Sequence, residues 1–307
     1  MAETLGLWGI PLAMLGGAIR VSTPFLFVSL GECITERSGR VNLGLEGTLV
    51  MGAMAGYGFS YLTGSPWLGV LGAGVIGSLL GALHGFLSGK PRVNDVALGI
   101  AMMLLGVGLA FFLGKPLIQP TAPRLGAIPL GFFSQNPQLR SALDVNVLFV
   151  LGVLLAPALN FGLKNTRWGL VLRTVGESAE AARALGYDVN RVRLLATVAG
   201  GFLAGIGGSF LSLYYPGSWN EGLSSGQGLM AVALVIFARW SPQRCLYASL
   251  LFGGAGAIGP ALQSVGITTG YYLWNASPYV LTLVILITSS SATRASADMP
   301  AELAVSR

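Results

Sequence analysis

Apolar residues fall into ten stretches along this chain of 307 residues, separated by short segments that hold most of the charged residues. The stretches are Leu5–Ile19, Val21–Thr35, Val41–Leu62, Trp67–Ser88, Val93–Leu113, Val145–Leu163, Leu194–Tyr214, Gly228–Trp240, Cys245–Val265 and Ala276–Ser290. A helix needs roughly 20 apolar residues to cross a bilayer, and the third to seventh and the ninth stretches are long enough. The pattern therefore predicts an all-α polytopic membrane protein with about ten, and at least eight, transmembrane helices.

The first two stretches and the eighth are short for a crossing. Arg20 lies between the first two stretches, and Pro24 lies in the second. Proline removes a backbone donor and kinks a helix, so these stretches are interpreted either as one tilted helix or as two broken ones. Gly228–Trp240 is only 13 residues long, which favours a re-entrant segment.

The composition excludes most other classes of protein. Charged residues make up 10% of the chain and hydrophobic residues 53%, whereas soluble domains carry about 25% charged residues. The 18 basic and 12 acidic side chains are too few to cover a soluble globule of this size, and the hydrophobicity is too high for a disordered chain. This composition indicates a membrane protein.

The basic residues are divided unequally when ten crossings are assumed with both termini on one side. One side holds Arg20, Lys115, Arg124 and Arg140, and the other side holds the remaining 14 of the 18 Lys and Arg residues. Cytoplasmic loops carry the excess of Lys and Arg, so the richer side, with the C-terminus, is predicted to be cytoplasmic. In an arrangement with nine crossings, Met1 lies outside, and everything after Glu36 keeps its place. The net charge of +6 then requires no nucleic-acid partner.

Small residues recur at every fourth position in several stretches. The series are Gly77, Gly81 and Gly85; Gly52 and Gly56; Gly201 and Gly205; and Ala204 and Gly208. Residues four apart share one helix face, and small faces let membrane helices approach closely. We expect a tightly packed bundle.

The longest predicted cytoplasmic segment, residues 165–193, contains a short helix. Ser178–Leu185 (SAEAARAL) has a serine suited to the N-cap and four alanines, and Gly186 suits the left-handed position that ends a helix. Two turns of helix are unstable alone in water. We therefore expect this helix to dock on a partner, which its small side chains would let come close.

Charged residues also lie between two apolar stretches, at Glu32, Glu36, Arg37, Arg40 and Glu46. Glu36 and Arg40 could pair if their turn is helical. Glu46 lies within an apolar stretch, with Asn42 four residues earlier on the same predicted helical face. A carboxylate at membrane depth indicates a functional site, and a structural partner for Arg37 or Arg40 is an equal alternative.

The run ERSGRVNLGLEG (residues 36–47) closely resembles the ERxGxxNLGxEG signature of the simple-sugar and nucleoside permease family of bacterial ABC importers. VGESAEAARALGYDV, LLATVAGGFLAGIGGSFLSL and GLMAVALVIFARWSP also resemble that family, in the same order. The similarity runs from about Arg20 to Trp240, and more loosely to Tyr279. Within it, EAARALG (residues 180–186) resembles the EAA-x3-G signature of ABC importer permeases, whose helix contacts the ATPase subunit.

The resemblance implies a type II importer fold in a single transmembrane domain, residues 1–307, with residues 165–193 as its coupling loop. It implies an inner-membrane permease that brings a nucleoside or simple sugar into the cytoplasm. The implied partners are ABC ATPase subunits, a second permease in a homodimer or heterodimer, and an extracytoplasmic binding protein. The residues that it assigns to coupling are Glu180, Ala181, Ala182, Arg183 and Gly186.

The chain departs from the family pattern at two places. Gly99 is followed by Met103 where the family usually has Asn, and Phe237-Ala238-Arg239-Trp240 stands where the family often has FGxW. If that Asn contacts the ligand, its absence leaves the ligand class open between nucleosides, simple sugars and riboflavin-like heterocycles. The resemblance favours a nucleoside.

The sequence offers no catalytic machinery of its own. Neither Gly89-Lys90 nor Gly114-Lys115 continues a GxxxxGK[ST] phosphate loop, because each is followed by proline. The single histidine, His84, and the distant cysteines Cys33 and Cys245 predict no metal site, cofactor or catalytic triad. We therefore expect a transport subunit, not an enzyme, with ATP hydrolysed by a partner.

Polar residues at membrane depth or at the outer mouth are the candidates for a solute path: Asn42, Glu46, Asn94, Asp95, Trp219, Asn220 and Glu221. Aromatic and amide groups suit a flat heterocycle or a sugar face, although Trp also marks membrane interfaces in general. The alternative function is an ATP-independent secondary transporter or channel, in which Glu46 would carry protons or ions. The two differ in whether uptake needs an ATPase.

Overall fold

The computed structural model describes residues 9–264, 266–267, 269–289 and 299–305. The helices of the first half are α1 (Gly9–Arg37), α2 (Leu45–Thr63), α3 (Pro66–Ser88), α4 (Asp95–Gly114), α5 (Pro137–Ala142) and α6 (Val147–Asn165). The second half has α7 (Arg167–Glu177), α8 (Ala179–Ala184), α9 (Val189–Leu213), α10 (Gln227–Phe237), α11 (Pro242–Ser264), α12 (Tyr271–Asn275), α13 (Ser277–Ser289) and α14 (Ala301–Val305). Over these described residues the fold is all-α apart from one small sheet, as the hydrophobic pattern predicts.

Within the described ranges, six helices are both long and apolar enough to cross a membrane: α1, α3, α4, α6, α9 and α11. The predicted count of about ten crossings is not confirmed. Helix α2 has 19 residues, but its Gly, Ser, Thr and Glu residues lower its mean hydropathy. It packs against α3, α4 and α9, and 15 of its residues are buried, so most of it lies in the middle of the bundle, while Phe59, Tyr61 and Leu62 near its end are exposed.

From Gly9 onward, the first two apolar stretches form one helix. Helix α1 runs for 29 residues and contains Pro24. It packs against α9 and α11, and this packing supports the helix through the proline. Its start and its end at Arg37 therefore lie at opposite ends of the bundle, as in the nine-crossing arrangement.

The eighth stretch is the helical part of a longer segment that runs from one end of the bundle to the other, which does not fit a re-entrant segment. Arg40 pairs with Asp95, which puts the start of α4 beside the end of α1; we call this the Arg37 end. The opposite, Gly114 end holds Trp219, whose ring donates a hydrogen bond to the Gly114 carbonyl oxygen. Trp240 returns to the Arg37 end. Between the two tryptophans, only the 11 residues of α10 are helical.

The predicted glycine faces form the closest helix contacts, which confirms that expectation. A Cβ atom added at Gly77 of α3 would overlap the carbonyl oxygen of Gly201 in α9, and one added at Gly81 would overlap that of Thr197. In α2, a Cβ atom at Gly52 would come within 2.6 Å of the Gly205 Cα atom of α9. Helices α2 and α3 thus touch α9 backbone to backbone.

The connection from α4 to α6 is partly ordered by a two-stranded antiparallel sheet. Strand β1 (Ala127–Pro129) pairs with β2 (Asp144–Asn146), and Ile128 lies opposite Val145. Val145 was predicted to begin the sixth membrane stretch. Because it belongs to this strand, α6 begins two residues later, where the Asn146 side chain caps it by accepting from the Leu148 N–H.

We predict that Gly77→Ala destabilises the protein by about 1–3 kcal/mol, because the new methyl group has no space against α9. The matched control is Gly108→Ala in α4, where an added Cβ atom meets nothing within 4 Å. Removing a mid-helix glycine there should leave stability unchanged or raise it by about 0.5–1 kcal/mol. Thermal unfolding of the purified protein measures both. Equal melting temperatures for the two variants would contradict the close packing of α3 on α9.

Candidate functional site

Helix α8 is fixed at both ends by the residues that the sequence indicates. The Ser178 hydroxyl oxygen accepts a hydrogen bond from the Ala181 N–H at 3.1 Å, which makes Ser178 the N-cap. Gly186 has φ +84°, and its N–H donates to the Arg183 carbonyl oxygen at 2.9 Å. Glycine adopts this left-handed conformation without steric cost. The predicted short helix is confirmed.

The two faces of α8 differ. Ala179 and Ala182 are buried against Val175 of α7 and Val189 of α9. The residues of the other face are exposed: Glu180, Ala181, Arg183 and Gly186. Of the five predicted coupling residues, Ala182 alone faces the bundle, and a partner that approaches α8 would meet the other four.

Two apolar residues that are not among the predicted coupling residues enlarge this exposed face. Leu185 is 67% exposed and Tyr187 is 41% exposed, immediately after α8. Exposed large apolar side chains grouped on a polar surface are typical of a protein-binding surface. A helix of six residues is too short for its hydrophobic pattern to show in the sequence which face is the outer one. We call Glu180, Ala181, Arg183, Leu185 and Tyr187 the α8 outer surface.

Glu46 is bonded to the start of α10. Its Oε1 atom accepts from the Ser224 hydroxyl at 2.5 Å and from the Gly226 N–H at 3.1 Å, and its Oε2 atom accepts from the Gly228 N–H at 2.6 Å. The first N–H groups of a helix lack partners within the helix, and that end carries a partial positive charge. The Glu46 carboxyl group supplies acceptors for these groups inside the bundle.

The basic residues proposed as alternative partners of Glu46 bond elsewhere, so that structural alternative is wrong. Arg37 donates from Nε to the Trp240 carbonyl oxygen at 2.9 Å. Arg40 forms an ion pair with Asp95 at 2.8 Å. Arg40 therefore does not pair with Glu36 either, because α1 ends at Arg37 and the turn that would align them is absent. Glu36 instead accepts a hydrogen bond from the Trp240 ring N–H.

Asn42 lies in the turn before α2, so it does not share a helical face with Glu46 as predicted. Its backbone N–H donates to Glu32 Oε1 at 2.7 Å, and its side-chain oxygen accepts from the Gly44 N–H at 2.9 Å. The Asn42 side chain thus shapes the entry into α2. Glu32, which the sequence analysis named only as a charged residue, is fully buried.

The remaining predicted path residues lie at both ends of the bundle. Asn94 is the exposed N-cap of α4 and accepts from the Ala97 N–H at 3.0 Å. Asp95 is buried beside Arg40. At the Gly114 end, Trp219 is 2% exposed, and Asn220 and Glu221 are exposed. The seven residues therefore do not form one cluster.

A cavity of about 580 Å³, open to the outside of the bundle, lies between α2, α3, α4 and the loop that follows α4; its lining residues Phe59, Tyr61 and Leu62 are exposed. Its lining is mainly apolar and aromatic, and includes Met51, Met54, Phe59, Tyr61 and Leu117. None of the predicted path residues lines it. The path residues predicted from the sequence are polar, whereas small-molecule cavities are mostly lined by apolar and aromatic side chains. In the part of the chain that the structure describes, no group of three or more His, Cys, Asp or Glu could hold a metal ion.

Comparison with known proteins gives a consistent result. The profile of the family described as branched-chain amino acid transport system / permease component matches residues 14–289. A Haloferax volcanii protein with the provisional name of glucose ABC transporter permease protein is 35% identical over 83% of this chain and 79% of its own length. The nucleoside ABC transporter permease protein of Lactococcus lactis is 30% identical over 86% of this chain and 88% of its own. The guanosine ABC transporter permease protein of Bacillus subtilis is 31% identical over the same shares.

We predict that Glu46→Ala lowers the free energy of unfolding by about 2–5 kcal/mol, because it leaves buried N–H groups of α10 without acceptors. Glu46→Gln should cost less, because its amide oxygen still accepts hydrogen bonds. It should still cost something, because its NH₂ group then faces another donor. Glu221→Ala removes an exposed carboxylate and is the control, with an expected change within about 0.5 kcal/mol. Chemical unfolding in mixed micelles compares the three. Equal unfolding of Glu46→Ala and Glu221→Ala would show that α10 does not depend on Glu46.

Proposed function

This chain belongs to the family of branched-chain amino acid transport system permease components, and we propose that the solute which it imports is a nucleoside or a simple sugar. It is a multi-pass membrane permease subunit of an ABC importer and is not itself catalytic. We propose that the whole chain, residues 1–307, forms one transmembrane domain in the inner membrane. Residues 165–193 are then the coupling loop within that domain.

The solute class is supported by the relatives and by the cavity. Two of the relatives are named for nucleoside and guanosine transport and one for glucose transport. The aromatic rings of Phe59 and Tyr61 line the cavity beside α2, and such rings suit a flat base or the apolar face of a sugar ring. Of the two classes, we favour a nucleoside.

The observation that carries the proposal for energy coupling is the α8 outer surface. It presents Leu185 and Tyr187 beside Glu180 and Arg183 on a helix whose other face is buried in the bundle. A helix of six residues gains stability mainly from packing, and its outer face is left open. We propose that an ATPase subunit covers this surface and hydrolyses the ATP.

We propose that the α8 outer surface lies on the cytoplasmic side of the membrane. The Arg37 end, with α7, α8 and α14 beside each other, is the end predicted from the basic residues to be cytoplasmic. The C-terminus is cytoplasmic in this arrangement. Asn220 and Glu221 at the Gly114 end then face outward, where we propose that they contact the extracytoplasmic binding protein or the entering solute.

The proposed path follows α2 and α10. The cavity lies along the half of α2 away from Glu46, and Glu46 holds the start of α10. Broken helices at membrane depth are typical of solute sites in transporters. We propose that α10 and α2 line this path together, that Asn42 and Asp95 hold its cytoplasmic ends, and that a second permease subunit completes the transporter.

An ATP-independent carrier is the rival function, and its proton or ion would bind Glu46. Both oxygens of Glu46 already accept hydrogen bonds from Ser224 and the start of α10, which favours a positioning role. Uptake into liposomes that contain this chain without any ATPase would overturn the proposed function.

We predict that Gly186→Leu and Glu180→Arg each reduce ATP-driven uptake by about tenfold or more, since both alter the contact with the ATPase. Leu185→Asp should act likewise by placing a charge in an apolar contact. The melting temperature of the permease should stay near that of the unchanged protein in Glu180→Arg and Leu185→Asp, whereas Gly186→Leu should lose about 1–2 kcal/mol of stability because leucine is strained at φ +84°. Proteoliposomes with ATPase subunits and binding protein measure uptake, with Gly108→Ala as control. Unaltered uptake in all three variants would exclude α8 from coupling.

We predict that unlabelled nucleosides suppress the uptake of labelled guanosine in the same proteoliposomes, because one path accepts related heterocycles. Glucose is tested in parallel as the labelled and as the competing solute. Transport of glucose without transport of guanosine would move the assignment to simple sugars. Transport of neither would contradict the proposed solute class.

A further inference from the structure

The C-terminal helix α14 holds the first residue of α8. Glu302 of α14 accepts a hydrogen bond from the Ala179 backbone N–H to its Oε1 atom at 2.8 Å. Ala179 is the first residue of α8, whose early N–H groups have no partners within the helix. Ser178 satisfies the N–H of Ala181, and Glu302 satisfies that of Ala179 from a part of the chain 123 residues away.

The other oxygen of Glu302 joins α8 to the membrane bundle. Its Oε2 atom pairs with Arg193 Nη2 at 3.0 Å. Arg193 lies in the first turns of α9, and its Nε atom donates to the Ser38 carbonyl oxygen at 3.0 Å. One carboxylate therefore links α14 and α8 with α9 and, through Arg193, with the turn between α1 and α2.

Helix α14 is held in place by apolar contacts as well as by this carboxylate. Leu303 is 7% exposed and belongs to the main hydrophobic core, with Met299 packed against that core. The surroundings of Glu302 favour its ionised carboxylate. Burial would raise its pKa, but the Ala179 N–H and the Arg193 guanidinium outweigh that effect and lower the pKa below its ordinary value. Glu302 is thus ionised at neutral pH.

We propose that Glu302 is a positioning residue for energy coupling. By holding the first residue of α8 and the side chain of Arg193, it makes α8 move together with α9 and with the turn before α2. Without Glu302, the contacts that hold α8 to the bundle are mainly those of Ala179 and Ala182, and α8 can shift relative to the bundle. This inference rests on the proposed function, in which α8 is the contact with the ATPase.

The first test measures coupling in proteoliposomes of the complete transporter, as the amount of solute moved per ATP hydrolysed. Glu302→Ala should reduce this ratio by about fivefold or more, with assembly and ATP hydrolysis in the absence of solute retained. Glu302→Gln should restore part of it, because its amide oxygen still accepts from the Ala179 N–H. Ala304→Gln, at an exposed position of the same helix, is the control and should keep the unchanged ratio.

The second test reads the position of α8 directly in the permease without its partners. A spin label is attached at Ala184→Cys, an exposed position of α8; the native Cys33 and Cys245 are buried. The label should become more mobile in Glu302→Ala and should be unchanged in Ala304→Gln. Unchanged mobility in Glu302→Ala would overturn the inference, whatever the transport result.

The role of Glu302 and the coupling role of α8 can be tested separately. If Gly186→Leu abolishes coupling while Glu302→Ala keeps the unchanged ratio, the role of Glu302 is overturned and the coupling role of α8 stands. If neither Gly186→Leu nor Glu302→Ala alters the ratio, the proposed function of α8 is overturned as well.

Discussion

A helix that starts inside a membrane bundle needs acceptors for its first N–H groups, and the arrangement around α10 depends on the one carboxyl group that supplies them. Within the bundle no bulk water can take the place of Glu46. Glu46 is in the first turn of α2, so its three hydrogen bonds fix the position of α10 relative to α2. Helix α2 is in turn fixed by backbone contact with α9 through Gly52 and Gly205. The position of α10 therefore depends on α2, and the position of α2 depends on α9.

The polar residues at the Arg37 end work by a related rule. Arg37 bonds to Trp240, Arg40 to Asp95 and Arg193 to Glu302, so each of these three cations joins two elements that are distant in sequence. Their number on one side of the membrane predicts the orientation of the chain. Their pairing serves a second purpose, because it holds the helix ends of the bundle against one another.

Local features of the fold were predictable from the sequence, and distant ones were not. Helix α8 follows from Ser178 and Gly186 because caps act within a few residues, and the glycine faces follow from a period of four. The continuity of α1 through Pro24 depends on packing against α9 and α11, which lie far away in sequence. For the same reason the partner of Glu46 could not be predicted: Ser224 is 178 residues away, and the nearby arginines were the local alternatives. The apolar cavity was missed because the search was for polar residues.

A bundle packed backbone to backbone resists bending, and this limits how an external motor can act on it. Helices α2, α3 and α9 touch through glycines with no room for an added methyl group, so they are expected to move as one body. Helix α8 has no such glycine contact and is attached through Glu302 and two buried alanines, so it is the element that can shift. Helix α10 is attached to α2 by the Glu46 hydrogen bonds and by Gly228, where an added Cβ atom would overlap the Glu46 backbone. Both of these attachments lead to the same rigid group, one through α2 and the other through Arg193 of α9. A displacement of α8 would therefore reach α10 by way of α9 and α2, without deformation of the glycine interfaces.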